Sequence, residues 1–176
     1  MLTLVIGGSA SGKSEYAEGL ILRSPARPRI YIATMQPFDD ECLARIEKHR
    51  KMRAKKEFET VECYTGLAGA AVPSGAAVLL ECMSNLCANE LYSPAGSGDG
   101  AAAAILAGVR ALRNREGDTV IVSNEVFSGG SRYQGDTLRY LRLLAQVNRE
   151  IAAAADSVCE VVCGIPVYHK GGEQAR

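Results

Sequence analysis

Residues 7–14 read Gly7-Gly8-Ser9-Ala10-Ser11-Gly12-Lys13-Ser14, and this stretch decides which fold the chain can adopt. It fits every required position of the pattern G-x-x-x-x-G-K-[ST], the loop whose backbone N–H groups surround a nucleotide phosphate. The loop follows the apolar run Thr3–Ile6 and opens a helical pattern over Lys13–Leu22, which is the context that the motif requires. The sequence therefore predicts a phosphate-binding loop, or P-loop; the alternative is a glycine turn that binds nothing.

The residues of this loop have distinct expected roles. Its glycines let the backbone approach a phosphate closely, and the following helix contributes its positive N-terminal end. Lys13 is predicted to reach the β- and γ-phosphates, and the Ser14 hydroxyl to bind Mg²⁺. The predicted nucleotide-binding residues of the loop are Gly7, Gly8, Ser9, Ala10, Ser11, Gly12, Lys13 and Ser14, with Lys13 also a catalytic residue.

Strand-like and helix-like segments alternate along the rest of the chain. Continuous β-branched runs are typical of parallel strands covered by helices on both faces. The sequence therefore predicts a three-layer α/β fold with a mostly parallel central sheet, in a single domain over residues 1–176. Further strands are expected at 29–33, 77–80, 119–122 and 158–162, with a short one at 60–63; further helices are expected at 39–53, 84–91, 101–113 and 137–155.

Composition excludes several classes of function. Twenty basic residues balance twenty acidic ones, so the chain lacks the net positive charge on which binding of nucleic acid through bulk charge depends. No run approaches the ~20 apolar residues of a membrane span, and the N-terminus lacks the basic region of a signal peptide. A cytoplasmic protein is expected. Its six cysteines form no C-x-x-C pair and are interpreted as reduced, small buried hydrophobes.

Two acidic residues follow predicted strands and are candidates for the metal site of the P-loop. Glu81 follows Val78-Leu79-Leu80, and Glu125 follows Ser123-Asn124. In open parallel sheets the carboxyl ends of the strands face the ligand crevice. Ser14, Glu81 and Glu125 are therefore the predicted Mg²⁺ ligands, although either glutamate is also compatible with a solvated strand end.

A histidine lies between two arginines on the predicted helix at 39–53. Arg45, His49 and Arg53 are spaced i, i+4, i+8, so they share one face. The guanidiniums are suited to hold a triphosphate, and nearby positive charge keeps the imidazole neutral and nucleophilic. The spacing alone is equally typical of a solvated basic helix face.

Together these residues resemble the bifunctional adenosylcobinamide kinase / adenosylcobinamide-phosphate guanylyltransferase family of cobalamin biosynthesis. The resemblance covers almost the full chain, and its ordered set of motifs is much more specific than the P-loop alone. The matching elements are the P-loop, Tyr31-Ile32-Ala33-Thr34, Arg45-Ile46-x-x-His49-x-x-x-Arg53, Thr60-Val61-Glu62, Leu79-Leu80-Glu81-Cys82, Ser123-Asn124-Glu125-Val126 and Gly164-Ile165-Pro166.

This resemblance implies a recombinase-like P-loop fold and two activities. A kinase activity transfers a phosphoryl group from ATP or GTP to adenosylcobinamide. A guanylyltransferase activity forms a guanylyl-histidine, for which His49 matches the family's residue, and passes the guanylyl group to the cobinamide phosphate. Thr34, Arg45, Arg53, Glu62 and Glu81 are implied as nucleotide-binding residues. A homo-oligomer is also implied, usually a trimer; that nucleic acid is not a partner is expected from the balanced charge alone.

The chain departs from the family pattern between residues 127 and 145. Phe127 begins a stretch that replaces a glycine-rich element, Arg142 stands where an aspartate is expected, and Ala145 stands in place of a glycine. These departures keep two alternatives open. One is a small-molecule P-loop kinase without nucleotidyl transfer, and the other is a nucleotide-binding regulatory protein with degraded catalysis.

Overall fold

The apolar runs of the chain assemble into one seven-stranded sheet. The computed structural model describes residues 1–37, 43, 47, 56–127 and 133–172. The strands lie side by side in the order β3-β2-β4-β5-β1-β6-β7. Their bounds are β1 Leu2–Gly7, β2 Arg29–Ala33, β3 Phe58–Glu62, β4 Ala77–Glu81, β5 Thr119–Asn124, β6 Ser157–Val162 and β7 Ile165–Lys170.

Every pairing from β3 to β6 is parallel, and β7 alone runs antiparallel, against β6. Parallel neighbours end at one edge of the sheet, so residues that follow different strands meet there. The register places Ala33 beside Glu81, and Gly7 beside Asn124. The start of the P-loop and the ends of β2, β4 and β5 therefore lie along one edge.

Helices cover both faces of this sheet and complete three layers. One face packs on α1 through side chains such as Ala17 and Ile21, while the other packs on α2, α3 and α4 through side chains such as Leu86, Ile105 and Leu144. The helices are α1 Lys13–Arg23, α2 Met83–Tyr92, α3 Ala101–Arg113 and α4 Gly135–Ala154, with single 3₁₀ turns at Leu67–Gly69 and Gly98–Gly100.

The three-layer, mostly parallel α/β fold predicted from the sequence is confirmed. The expected strands are all present, and four of the five expected helices agree with the structure to within two residues at each end. The fifth, predicted over 39–53, falls almost wholly outside the described residues. Only Leu43 and Glu47 are described there, and both are helical.

The sequence analysis missed β7, the outermost strand. Its segment Ile165–Lys170 contains Pro166 and is mostly exposed, so it lacks the continuous apolar run of a buried strand. Proline is tolerated in an edge strand, where its missing N–H costs no ladder hydrogen bond. The turn into β7 consists of Cys163 and Gly164 with φ values of 51° and 80°, which fits the two-residue hairpin turn that needs positive φ at both positions.

The interpretation of all the cysteines as buried was wrong for Cys163. Cys63, Cys87 and Cys159 are buried, but Cys82 is only partly buried and Cys163 is exposed. Cys163 is exposed because it forms the hairpin turn between β6 and the edge strand, and turns lie at the surface. Cys42 lies outside the described residues.

Gly108 in α3 provides a test of how tightly this face is packed. A Cβ at Gly108 would lie 2.5 Å from the Cβ of Leu67, which is itself buried. We expect Gly108→Ala to lower the free energy of unfolding by about 1–3 kcal/mol because the core is overpacked, although alanine favours a helix over glycine by about 1 kcal/mol. Urea denaturation at equilibrium measures the change.

Gly19 in α1 is the matched control. Among the residues that the structure describes, its added Cβ would contact only the flexible end of Arg23, at 3.3 Å, so Gly19→Ala is expected to keep or raise the stability. An equal loss in both variants would show that the Leu67 contact is not the cause.

Candidate nucleotide-binding site

The P-loop joins β1 to α1 and is held in a compact curl. Gly12 has φ 89° and Ala10 has φ 56°, both in the left-handed region. Gly7 has no room for a side chain, since a Cβ there would lie 2.5 Å from Ser11 Oγ and 2.8 Å from the carbonyl oxygen of Val161. The glycine at the first motif position is therefore required by close packing.

Lys13 folds back over the loop that precedes it. Its ammonium group donates a hydrogen bond to the carbonyl oxygen of Gly8 at 3.0 Å, and its side chain lines the cavity above the loop. The positive charge is thus placed where a phosphate cradled by the loop would lie. A single hydrogen bond to a carbonyl leaves further N–H donors of the ammonium available to phosphate oxygens.

Glu81, at the end of β4, contacts the serine at the last position of the P-loop motif. Ser14 donates its hydroxyl hydrogen to Glu81 Oε1, and Tyr31 donates its own to Oε2 at 3.1 Å. Both carboxylate oxygens are therefore oriented by hydroxyl groups from α1 and β2. This arrangement brings together the serine and the first of the two glutamates that the sequence singled out for a metal.

The donor set at this point is suited to Mg²⁺. A serine hydroxyl and a carboxylate are hard oxygen ligands, and Mg²⁺ in nucleotide sites is held by one or two such groups together with phosphate oxygens and water. No cluster of three or more His, Cys, Asp or Glu side chains with metal-binding geometry occurs within the described ranges. Ser14 and Glu81 therefore fit a metal that arrives with its nucleotide.

A cavity of about 510 Å³ opens between the loop and these strand ends. Its polar wall includes Glu62, Tyr64, Asn85 and Asn124, and the Tyr64 hydroxyl donates to Glu62 Oε2 at 2.9 Å. Glu62 was implied by the family resemblance, and Asn124 belongs to a matching motif but was assigned no role individually. Tyr64 and Asn85 were not singled out, because they converge only when β3 and β4 end at one edge.

A cysteine thiol also forms part of the cavity wall. Cys82 lines the cavity, and burial raises the pKa of its thiol. A protonated thiol is a weak nucleophile, so covalent chemistry at Cys82 is disfavoured. Its Sγ lies 3.0 Å from Ser84 Oγ, which also accepts a hydrogen bond from Asn124 at 2.6 Å.

Thr34 does not line the cavity that the loop forms, although the resemblance implied that it binds nucleotide. The residue is fully buried. Its hydroxyl accepts the N–H of Cys82 at 2.8 Å and donates to the Cys82 carbonyl at 2.9 Å. Because both interactions are with the backbone after Glu81, direct contact between Thr34 and nucleotide is not supported.

Glu125 also lies apart from Ser14 and Glu81. Successive residues at a strand end point to opposite sides. Asn124 borders both the P-loop cavity and a second cavity of about 320 Å³, whereas Glu125 lines the second cavity and does not line the first. There Glu125 Oε1 accepts the N–H of Phe127 at 2.8 Å. The structure thus gives the predicted metal role of Glu125 no geometric support.

Comparison with known proteins identifies the family. A family model described as cobinamide kinase / cobinamide phosphate guanyltransferase matches residues 3–168. The chain is 35% identical to the bifunctional adenosylcobalamin biosynthesis protein CobU of Salmonella typhimurium, over 97% of this chain and 100% of that protein. This chain belongs to the cobinamide kinase / cobinamide phosphate guanyltransferase family.

A further relative agrees with the family assignment, and a solved structure agrees with the fold. The bifunctional adenosylcobalamin biosynthesis protein CobP of Pseudomonas aeruginosa is 31% identical, over 97% of this chain and 98% of that protein. The KaiC-like protein PH0186 of Pyrococcus horikoshii OT3 superposes with a TM-score of 0.51 at 12% identity, over 90% of this chain and 69% of that one. The second likeness concerns the fold alone and confirms the expected P-loop α/β class.

The family's histidine motif lies in the part of the chain that the structure does not describe. His49, Arg45 and Arg53 are all outside the described residues. Leu43 is described and lines the P-loop cavity. The other histidine, His169, is exposed on β7 and lies 3.0 Å from Glu160.

The hairpin turn between β6 and β7 is a support of the P-loop that the sequence analysis did not recognise. The N–H of Gly164 donates to the carbonyl of Ser11 at 2.8 Å, and a Cβ on Gly12 would lie 3.2 Å from Gly164 Cα. The Tyr16 hydroxyl at the start of α1 lies 2.6 Å from that of Tyr168. The edge strand thus braces the loop of this family member from the side opposite Glu81.

Proposed function

We propose that this chain phosphorylates adenosylcobinamide and then converts the phosphate to adenosylcobinamide-GDP, with GTP or ATP as the phosphoryl donor and GTP as the guanylyl donor. One observation carries the proposal. Lys13, Ser14 and Glu81 converge on a single cavity in a chain that matches the cobinamide kinase / cobinamide phosphate guanyltransferase family from residue 3 to residue 168.

In the kinase step, the aminopropanol hydroxyl of the substrate attacks the γ-phosphorus of the nucleotide. A new O–P bond forms, the bond to the β-phosphate bridging oxygen breaks, the nucleoside diphosphate leaves, and the hydroxyl proton is released to solvent. The Lys13 ammonium stabilises negative charge on the phosphate oxygens, and the P-loop N–H groups hold those oxygens in place.

In the transfer step, we propose that a neutral nitrogen of His49 attacks the α-phosphorus of GTP and releases pyrophosphate. A phosphate oxygen of the cobinamide phosphate then attacks the guanylyl phosphorus, so that an O–P bond replaces the N–P bond and the histidine is regenerated. Arg45 and Arg53 are proposed to hold the triphosphate during the first attack. Their i, i+4, i+8 spacing with His49 supports these roles.

Mg²⁺ is proposed to accompany the nucleotide, held on the protein side by Ser14 and Glu81. When bound, the metal would neutralise charge on the phosphate oxygens. Glu62, which lies in the wall of the same cavity, is proposed to contact the nucleotide. A homo-oligomer is proposed as the assembly, for which sedimentation velocity is the direct measurement.

Trapping with GTP labelled on the α-phosphate tests the proposed pair of activities. The expected result is an acid-labile labelled protein that loses its label when cobinamide phosphate is added. A separate assay with GTP labelled on the γ-phosphate is expected to transfer label to cobinamide. Transfer of the γ-label without any labelled protein would favour the small-molecule kinase, and nucleotide binding without either transfer would favour the regulatory protein.

Glu81→Gln is expected to weaken the dependence of turnover on Mg²⁺. The amide keeps the shape of the side chain but removes its negative charge, so we expect the half-saturating Mg²⁺ concentration to rise by about tenfold or more. A Mg²⁺ titration at saturating nucleotide measures the change. Glu125→Gln, at the second cavity, is the matched comparison. An equal rise of the half-saturating Mg²⁺ concentration in both variants would contradict the proposed role of Glu81 as a Mg²⁺ ligand.

A further inference from the structure

The backbone immediately after Glu81 is held by the side chain of Thr34, which follows β2, and by the N–H of Leu86, which donates to the Cys82 carbonyl at 3.2 Å. The β2–β4 ladder ends with the Ala33–Glu81 pair, and the N–H of Thr34 still donates to the carbonyl of Glu81 at 3.2 Å. Beyond that pair the contact between the two segments continues through the Thr34 hydroxyl. It accepts the N–H of Cys82 at 2.8 Å and donates to the carbonyl of Cys82 at 2.9 Å.

Thr34 is itself fixed from a third element. Asn89 of α2 donates its side-chain N–H to the carbonyl of Thr34 at 2.8 Å, and both residues are buried. A hydroxyl offers one donor and two acceptor sites, and in Thr34 the donor and one acceptor are used on a single residue, Cys82. The contact therefore defines the position of Cys82 relative to β2 more closely than a single hydrogen bond would.

We propose that Thr34 and Asn89 are positioning residues for Glu81. They fix the peptide that follows Glu81, and this directs the carboxylate toward the hydroxyls of Ser14 and Tyr31. Neither residue contacts the nucleotide; both act through the carboxylate. The inference rests on the proposed role of Ser14 and Glu81 in holding the metal of the nucleotide, and it assigns to Thr34 a purpose other than nucleotide binding.

The test compares Thr34→Val with Thr34→Ser in the full chain. Valine keeps the shape of threonine but removes the hydroxyl, whereas serine keeps the hydroxyl. The measurement is a Mg²⁺ titration of the binding of a fluorescent GTP analogue, together with KM for GTP at saturating Mg²⁺. We expect Thr34→Val to raise the half-saturating Mg²⁺ concentration by about tenfold and to change KM for GTP by less than about twofold. We expect Thr34→Ser to give the same Mg²⁺ titration as the wild-type protein.

A double-mutant cycle separates positioning from a general loss of structure. If Thr34 acts through Glu81, then Thr34→Val adds no further shift in a Glu81→Gln background. A shift of the same size in both backgrounds overturns the inference, as does an unchanged titration in a folded Thr34→Val protein. A matching shift for Thr34→Ser overturns it as well.

Asn89→Asp covers the case in which Thr34→Val does not fold. It removes the N–H that bonds the Thr34 carbonyl, so a smaller rise in the half-saturating Mg²⁺ concentration is expected, and a folded variant with an unchanged titration overturns the inference. If wild-type protein binds the GTP analogue with Mg²⁺ but transfers nothing to cobinamide, the proposed function fails. The titration then still decides whether Thr34 and Asn89 position Glu81.

Discussion

His49→Ala is expected to abolish formation of the labelled guanylyl-protein from α-labelled GTP while phosphorylation of cobinamide continues. The alanine side chain has no nitrogen to attack the α-phosphorus, so the covalent step is lost outright. The kinase step needs the γ-phosphate, the P-loop and the acceptor hydroxyl, none of which His49 supplies. Protein quenched with detergent and separated on a gel at neutral or alkaline pH, which preserves the acid-labile bond, gives the first readout, and transfer of the γ-label to cobinamide gives the second.

The chain supplies its own control for this experiment. His169 is the second of the two histidines. It is exposed on β7 and lies beside Glu160 of β6. His169→Ala is expected to retain full labelling. Persistent labelling of His49→Ala, or loss of labelling in both variants, would contradict the assignment of the nucleophile to His49.

Lys13→Ala is expected to impair both activities rather than one. Its ammonium group is directed at the cradle of the loop and contacts the Gly8 carbonyl, so its removal takes a positive charge away from the phosphates in each reaction. Loss of one preorganised stabilising group typically costs about a hundredfold or more in kcat. Steady-state rates with γ-labelled and α-labelled GTP measure the two effects in parallel.

Lys170→Ala is the matched lysine control, because Lys170 Nζ donates only to the carbonyls at the end of α4 among its described contacts. It is expected to leave both rates near those of the wild type. A Lys13→Ala protein that lost transfer but kept full kinase turnover would separate the two nucleotide sites, and the proposal of a shared P-loop cavity would then be wrong.

The parts of the site that are local in sequence were predictable. The P-loop is a contiguous motif with a defined context, and Glu81 follows a strongly apolar strand, so its place at the ligand edge follows from the rule that parallel strands end together. Thr34 shows the limit of this reasoning. Its partner Cys82 is 48 residues away, and nothing local indicates that β2 and β4 are neighbours in the sheet.

Glu125 shows how sensitive such inferences are to register. A one-residue shift at the end of a strand moves a side chain to the opposite face, and the end of β5 directs Asn124, rather than Glu125, into the P-loop cavity. The edge strand β7 was missed for another reason. It buries little, so it lacks the apolar pattern on which strand prediction depends.

The hydrogen bond between the turn at Gly164 and the carbonyl of Ser11 has a consequence for how this family can diverge. The outer strand is exposed over most of its length, so most of its side chains, apart from Tyr168, are free to vary in sequence. Its turn is not, because any replacement that reshapes residues 163 and 164 also deforms the nucleotide cradle. We therefore expect selection for catalysis to constrain residues 163 and 164, although their exposure alone would suggest that they can be replaced without effect.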